Sequence, residues 1–436
     1  MKKQLFYGGL STFQWFIFLL ATSVAFPIII GNVFHLSIGE ISELMQRTFF
    51  VMGISSFIQG WLGHRYPIAD GPAGSWVSVF VILAGVAIHQ GQNTSETLQF
   101  LEGGLIVSGL LLFILGVTGL VNRLLFLFTP LVTGSFIFLL AFQLSGVFLE
   151  GMMALHGEPS RPDYGTTAIS FGVFFLIILL SIKGKGWIKS YALLIGILLG
   201  WFLYFLFDKT SGTFIHSDSL VRLPEIFAWG IPRLNSGMVV TSILFTFILV
   251  SNTIAAVMAV KQVVPESQKS EVKTISRGSW AGGISHFLSA LFSTIGIVPL
   301  PVSAGFIRLT GQKRLGPFLI ASIALSGIAF IPMIVDFLAL LPAPIASAAS
   351  LASFVEMIGI AFQSILREEL DQRRLTILGI TLLISTGLMF LPSSIFQGLP
   401  SILQYIFSNS LLVGTIIVIL LEQLWKKQKW KNHFAQ

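Results

Sequence analysis

Cysteine is absent from this sequence of 436 residues, which excludes disulfides, thiolate metal centres, catalytic thiols and cysteine-linked lipid anchors. Charge is nearly as scarce. Asp, Glu, Lys and Arg make up 10% of the residues against 54% apolar ones, and no water-soluble fold can hide that much apolar surface in one core. Tyrosine is rare, six residues against 40 phenylalanines. Phenylalanine suits positions facing lipid or a packed bundle, where a phenol would need a partner. Enzyme signatures are missing: there is no zinc-ligand spacing, nucleophile motif or phosphate-cradling glycine loop. The formal charge of +7 raises nucleic acid as a partner, but the basic residues fall between apolar spans, where they set topology. The composition therefore predicts an all-α polytopic protein of the lipid bilayer, with no cofactor, metal or nucleic acid.

What the sequence has in abundance is long apolar runs. About fourteen can be placed, from 10–30 to 408–425, and the third (76–89) and tenth (301–312) are too short for ordinary spans of ~20 residues. Met1–Gly9 is short and basic, and the run after it lacks a convincing cleavage site, so the first helix is expected to stay. With the N-terminus in the cytoplasm, 21 of the 26 basic residues fall inside, among them Arg65, Lys189, Lys269, Arg308, Arg367 and the cluster Lys426, Lys427, Lys429 and Lys431. Only Arg47, Arg161, Lys209, Arg222 and Arg233 fall outside. This asymmetry predicts a plasma-membrane protein with both termini cytoplasmic, and it holds only if both short segments cross, because dropping one would flip every later loop.

Seven crossings per half would start the second half on the opposite face of the membrane, as an inverted repeat over 1–208 and 237–425. Weak internal likeness supports this. Ala21-Thr22-Ser23-Val24 in the first segment and Val250-Ser251-Asn252-Thr253 in the eighth are about 229 residues apart. The third segment opens with Pro67-Ile-Ala-Asp-Gly-Pro-Ala-Gly-Ser75 and the tenth with Gly296-Ile-Val-Pro-Leu-Pro-Val-Ser-Ala-Gly305, at nearly the same offset. Prolines and glycines inside a membrane are tolerated where the backbone lines a cavity rather than lipid. A matched pair of such breaks points to a transporter's substrate site, where extended backbone leading into a half-helix leaves N–H groups free at mid-depth.

These stretches resemble the nucleobase-ascorbate transporter family, the xanthine and uracil permeases. Gln14 and Pro27 keep a family spacing in the first segment. Pro67, Gly71 and Ala73-Gly74-Ser75 match the third, and Gly305, Thr310 and Gly311 fit the signature of the tenth, from which Val302 and Ser303 depart. The resemblance implies a core domain of segments 1–4 and 8–11 moving against a gate domain of segments 5–7 and 12–14. It further implies elevator-type import of a nucleobase between the two broken segments, driven by a proton, with a homodimer as a possible assembly. Where the family's eighth segment supplies a glutamate to the base, the matching residue here is Asn252. The substrate-binding set expected on this basis is Ala73, Gly74, Ser75, Ser251, Asn252, Pro301, Val302, Ser303 and Gly305.

Ionisable groups at depth are few, and each is a candidate for coupling. Glu356, midway along the twelfth segment with no evident cationic partner, and Asp70, inside the third break, are the carboxyls able to load and release a proton. Asp70 also reads as a helix cap. Arg308 reads either as an anchor for an anionic substrate or as a snorkelling residue at the cytoplasmic end. Asp336 reads as outside the site. An organic-acid or inorganic-anion carrier of the same fold is the alternative; a channel would show conductance that does not saturate with substrate.

Overall fold

A computed structural model describes residues 2–90, 93–155, 163–207, 219–264, 270–396, 399, 403, 406–407 and 409–425. Arg161, Lys209, Lys269 and the Lys426–Lys431 cluster, which entered the topology count, lie outside the described residues. The first half contains α1 (Lys2–Val33), α2 (Ile38–Trp61), β1 (Asp70–Pro72), α3 (Gly74–Gln90), α4 (Thr94–Val117), α5 (Val121–Leu124), α6 (Pro130–Met152), α7 (Tyr164–Lys183), α8 (Trp187–Ser190) and α9 (Ala192–Leu206). The second contains α10 (Ser236–Val263), α11 (Glu271–Leu291), β2 (Ile297–Pro299), α12 (Val302–Thr310), α13 (Leu315–Ile328), α14 (Pro332–Ala339), α15 (Ala343–Ile365), α16 (Gln372–Met389) and α17 (Ser410–Leu424).

A helix in lipid satisfies its own backbone except at its ends, and several helices of this chain carry polar caps there. Ser37 and Glu40 form a reciprocal capping box at the start of α2. Asn93, Thr129, Asn235 and Asn409 each accept a backbone N–H at the start of α4, α6, α10 and α17. Among the described residues, six helices are long and apolar enough to cross a membrane, seven if α13 and α14 count as one bent span.

Three expectations need correction. The fold is mostly helical but not all-α, because β1 and β2 pair as a two-stranded antiparallel sheet. The eleventh apolar run is two helices bent by 88°, since Pro332 cannot continue α13 and opens α14 instead. The seventh run is interrupted too: α8 is a single turn, and Tyr191 separates it from α9.

The packing is paired. α2 lies on α13 as α4 lies on α11, α1 on α13 as α10 on α4, and α16 on α6 as α7 on α15, while α6 and α15 pack on each other. The linker after 219 folds back over one end of the bundle. Arg222 donates to Asp336 at 3.1 Å, to Ser42 at 3.0 Å and to Gln46 at 3.0 Å, and Ser42 donates to the same Asp336 oxygen. Arg47, counted above as a loop cation, is buried and donates to the Ser293 carbonyl at 3.3 Å. Removing one member of such a pair leaves the other uncompensated. Asp336→Leu should therefore lower stability by about 1–3 kcal/mol, seen as a lower unfolding midpoint in detergent, with transport per folded molecule unchanged.

Candidate functional site

The two breaks read from the sequence meet. Asp70 pairs with Pro299, Gly71 with Val298 and Pro72 with Ile297, and the ladder is extended by Ala73 N–H to the Gly296 carbonyl and Leu300 N–H to the Ala69 carbonyl, both 2.8 Å. Pairing satisfies the extended backbone that proline and glycine impose, so the chain can leave helix inside the bundle without stranded polar groups. Beyond each strand a helix starts, α3 at Gly74 and α12 at Val302. Their first turns face a cavity of about 170 Å³. The N–H groups of Gly74 and Ser75, ahead of the first helical bond from Val77 to the Ala73 carbonyl, have no carbonyl one turn back within α3, and both residues stand at this wall.

Gly74, Ser75, Asn252, Pro301 and Val302 line the cavity. Phe18, Phe26, Phe306 and Phe354 form apolar walls, and Thr22, Tyr191, Ser350 and Ser353 supply further polar groups. Phe18 and Phe306 stack at 4.4 Å between centroids. Gly74 is required by close approach: a Cβ there would come within 3.0 Å of Leu144 and 3.3 Å of Phe354. Asn252 donates through Nδ2 to the Pro299 carbonyl at 3.2 Å. That bond commits one of the two Nδ2 hydrogens and leaves the amide oxygen, an acceptor, together with the second N–H uncommitted.

Other expected residues are nearby but do not line this space. Ala73 is buried in the ladder. Ser251 is buried with its hydroxyl unpartnered among the described residues. Ser303 turns its hydroxyl to the Ala69 N–H at 3.0 Å, a bond that ties α12 to the opposite break. Asp70 is buried in β1, where one carboxyl oxygen accepts from Ser285 at 3.4 Å and the other has no partner among the described residues. It does not cap α3, and it does not reach the cavity. Gln14 accepts from Gln312 at 2.7 Å and stands outside the lining.

A second cavity adjoins the first, and Ser181, Lys189, Leu309 and Glu356 line both. Gly305, Arg308 and Arg367 line only the second. Glu356 faces this opening instead of being enclosed in α15, and a Cβ added at Gly305 would meet its carboxylate oxygen at 3.3 Å. Nor is it without a cation nearby, since Lys189 lines the same walls. Lys189 was read as a loop residue that sets topology; α8 carries it onto the cavity wall. The available signal was a lysine just inside the start of an apolar run. At the other end, a third cavity lined by Ile28, Asn32, Trp201 and Phe337 shares no residue with the first. Phe148 packs behind two of the first cavity's phenylalanines, Phe26 and Phe354.

The chain matches the permease family named for xanthine and uracil permeases over residues 3–394. YwdJ of Bacillus subtilis (strain 168), provisionally assigned as a purine permease, is 34% identical over 433 residues, 97% of each chain. The xanthine permease of the same organism is 23% identical over 406 residues, 92% of this chain and 90% of that one. Among solved structures, the transmembrane domain of the cyanobacterial bicarbonate transporter BicA superposes with a TM-score of 0.61 at 12% identity, over 95% of this chain and 96% of that one, a likeness of fold alone. An organic-acid or inorganic-anion carrier is not favoured by these relatives. The chain belongs to the xanthine and uracil permeases of the nucleobase-ascorbate transporter family, multi-pass membrane permeases and not enzymes.

Proposed function

We propose that this protein is a secondary active transporter that imports a purine nucleobase by proton symport. The observation that carries the proposal is the cavity at the crossing of the two broken segments, where the α3 N-terminus, the Asn252 amide and phenylalanine walls converge. Flat heterocycles present hydrogen-bonding edges and apolar faces, and this lining offers complements to both. The purine permeases among the relatives support the substrate class.

In this reading the chain crosses the membrane about fourteen times, and its two inverted repeats cover 1–208 and 237–425. Paired packing supports the repeat, since the contact of α2 with α13 across the two halves is matched by that of α11 with α4, with the halves exchanged. The core (segments 1–4 and 8–11) carries the substrate past the gate (5–7 and 12–14) in an elevator-type movement, with the cavity at their boundary. In the same reading this conformation opens to the cytoplasm: the cavity adjoins the one bearing Arg308 and Arg367, cations that the positive-inside rule assigns to that face, and shares no lining residue with the third cavity. Both termini are cytoplasmic in the plasma membrane, and Glu356, at the junction of the cavities, is the favoured proton carrier.

Uptake of a radiolabelled nucleobase panel in permease-deficient cells, with an organic-acid panel alongside, tests the proposal. Saturable purine uptake is expected; uptake confined to organic acids, or conductance that never saturates, would overturn it. A sharper check uses the natural lack of cysteine. Ser353→Cys, on the cavity wall, should react with a polar thiol reagent from the cytoplasmic face and be protected by purine. Labelling that substrate never slows would argue against a site there.

A further inference from the structure

Lys189 and Glu356 are the charged side chains lining the central cavity among the described residues. They come from α8 and α15, two elements that both pack on α12, and both side chains line the two adjoining cavities. No ion pair within 4.0 Å joins them in this conformation. Tyr191, two residues after Lys189, lines the same cavity. At Gly305 the missing side chain leaves room for the carboxylate against the α12 backbone. A cation and a carboxylate thus share one opening with a gap between them, at the mouth through which a substrate leaves.

We infer that Lys189 is a specificity-determining residue that selects purines in their monoanionic form, partnered in turn by the substrate anion and by the Glu356 carboxylate. This rests on the proposed purine transport and specifies which ionic form the site takes. The charge balance carries the argument. In the empty cavity, Lys189 is offset by ionised Glu356. Once Glu356 binds a proton, Lys189 is offset by the arriving anion. The cavity is neutral in both states, so neither strands a lone charge in a low-dielectric space, which is expensive. A neutral purine bound beside protonated Glu356 would leave Lys189 unopposed. The site therefore favours one proton with one anion, a loaded carrier bearing no net charge in its cavity.

Around Glu356 the other charged or titratable groups are Lys189 and Tyr191 in the first cavity and Arg308 and Arg367 in the second. Lysine, tyrosine and arginine ordinarily titrate far above neutral pH, which leaves the glutamate as the group to follow.

The test measures binding of urate, an anion at neutral pH, and hypoxanthine, uncharged there, to purified full-length protein. Lys189→Met keeps the apolar stem and should weaken urate relative to hypoxanthine by roughly 10- to 100-fold, the cost of losing a charged partner. Lys189→Arg retains the charge and should hold the urate to hypoxanthine ratio within about threefold of wild type. In wild type, urate affinity should rise as pH falls, and Glu356→Gln should abolish that dependence. If wild type binds both purines and Lys189→Met weakens them equally or not at all, the inference is overturned while purine transport stands. If wild type binds neither, the purine reading falls and the inference with it.

Discussion

Glu356→Gln is expected to abolish accumulation of urate against its gradient while leaving exchange of labelled for unlabelled urate across the membrane largely intact. Glutamine keeps the size of the side chain and much of its hydrogen-bonding reach but cannot carry a proton. A symporter needs a group that loads on one side and releases on the other, and Glu356 is the carboxylate facing both the central cavity and the one next to it. Each unit of pH difference can drive about tenfold accumulation, equivalent to ~1.4 kcal/mol. Uncoupling should bring the accumulation ratio to about one at any imposed gradient. Asp70 is the competing carrier, yet it is packed in β1 with Ser285 and lines none of these cavities. Uptake into proteoliposomes with an imposed pH gradient distinguishes them. If Glu356→Gln and Asp70→Asn each still accumulate urate with wild-type pH dependence, neither alone carries the proton, and sodium coupling or facilitated diffusion becomes the better reading.

How much of this was legible in the sequence follows from the range over which each signal acts. The breaks at Pro67–Ser75 and Gly296–Gly305 were legible because proline and glycine interrupt an apolar run locally, and their matched offset needs no structure to be seen. Their pairing as β1 and β2 was not, since a three-residue strand has no period to detect. Pro332 was visible, but a bend and a kink look alike in composition, and only the packed helices reveal the turn of 88°. The adjacent residues Ser251 and Asn252 diverge because neighbours on a helix point about 100° apart. One reaches the cavity and the other is sealed among helices. In an all-round apolar segment, periodicity cannot choose between them. Ser303 and Asp70 were drawn into structural bonds by partners more than two hundred residues away, Ala69 and Ser285. Lys189 was hidden by the rule that reads a lysine at the start of a span as topology, because the one-turn helix that swings it inward leaves no pattern of its own.

Asn252→Leu should weaken purine binding by about 1–3 kcal/mol, the cost of leaving a buried donor on the ligand without its acceptor. The direction follows from which end of the amide is already committed. Nδ2 spends one of its two hydrogens on the Pro299 carbonyl, and the uncommitted oxygen is the acceptor that the amide can offer a substrate N–H, beside one remaining N–H. A carboxylate at this position, as the resemblance leads one to expect, would also present acceptors, but it would add a charge that the amide avoids. Asn252 can therefore keep the recognition of a purine N–H without taking part in proton coupling, which is consistent with coupling resting on Glu356. Leucine also removes the tie to β2, so loss of binding alone is ambiguous. A second axis resolves this: a purine methylated at the nitrogen that meets Asn252 loses the same hydrogen bond from the ligand side. If the pair is real, mutation and methylation should each weaken binding, and together they should cost much less than the sum of the two. Strictly additive losses would mean that Asn252 acts only through β2, and unchanged affinity in well-folded Asn252→Leu would remove it from the site.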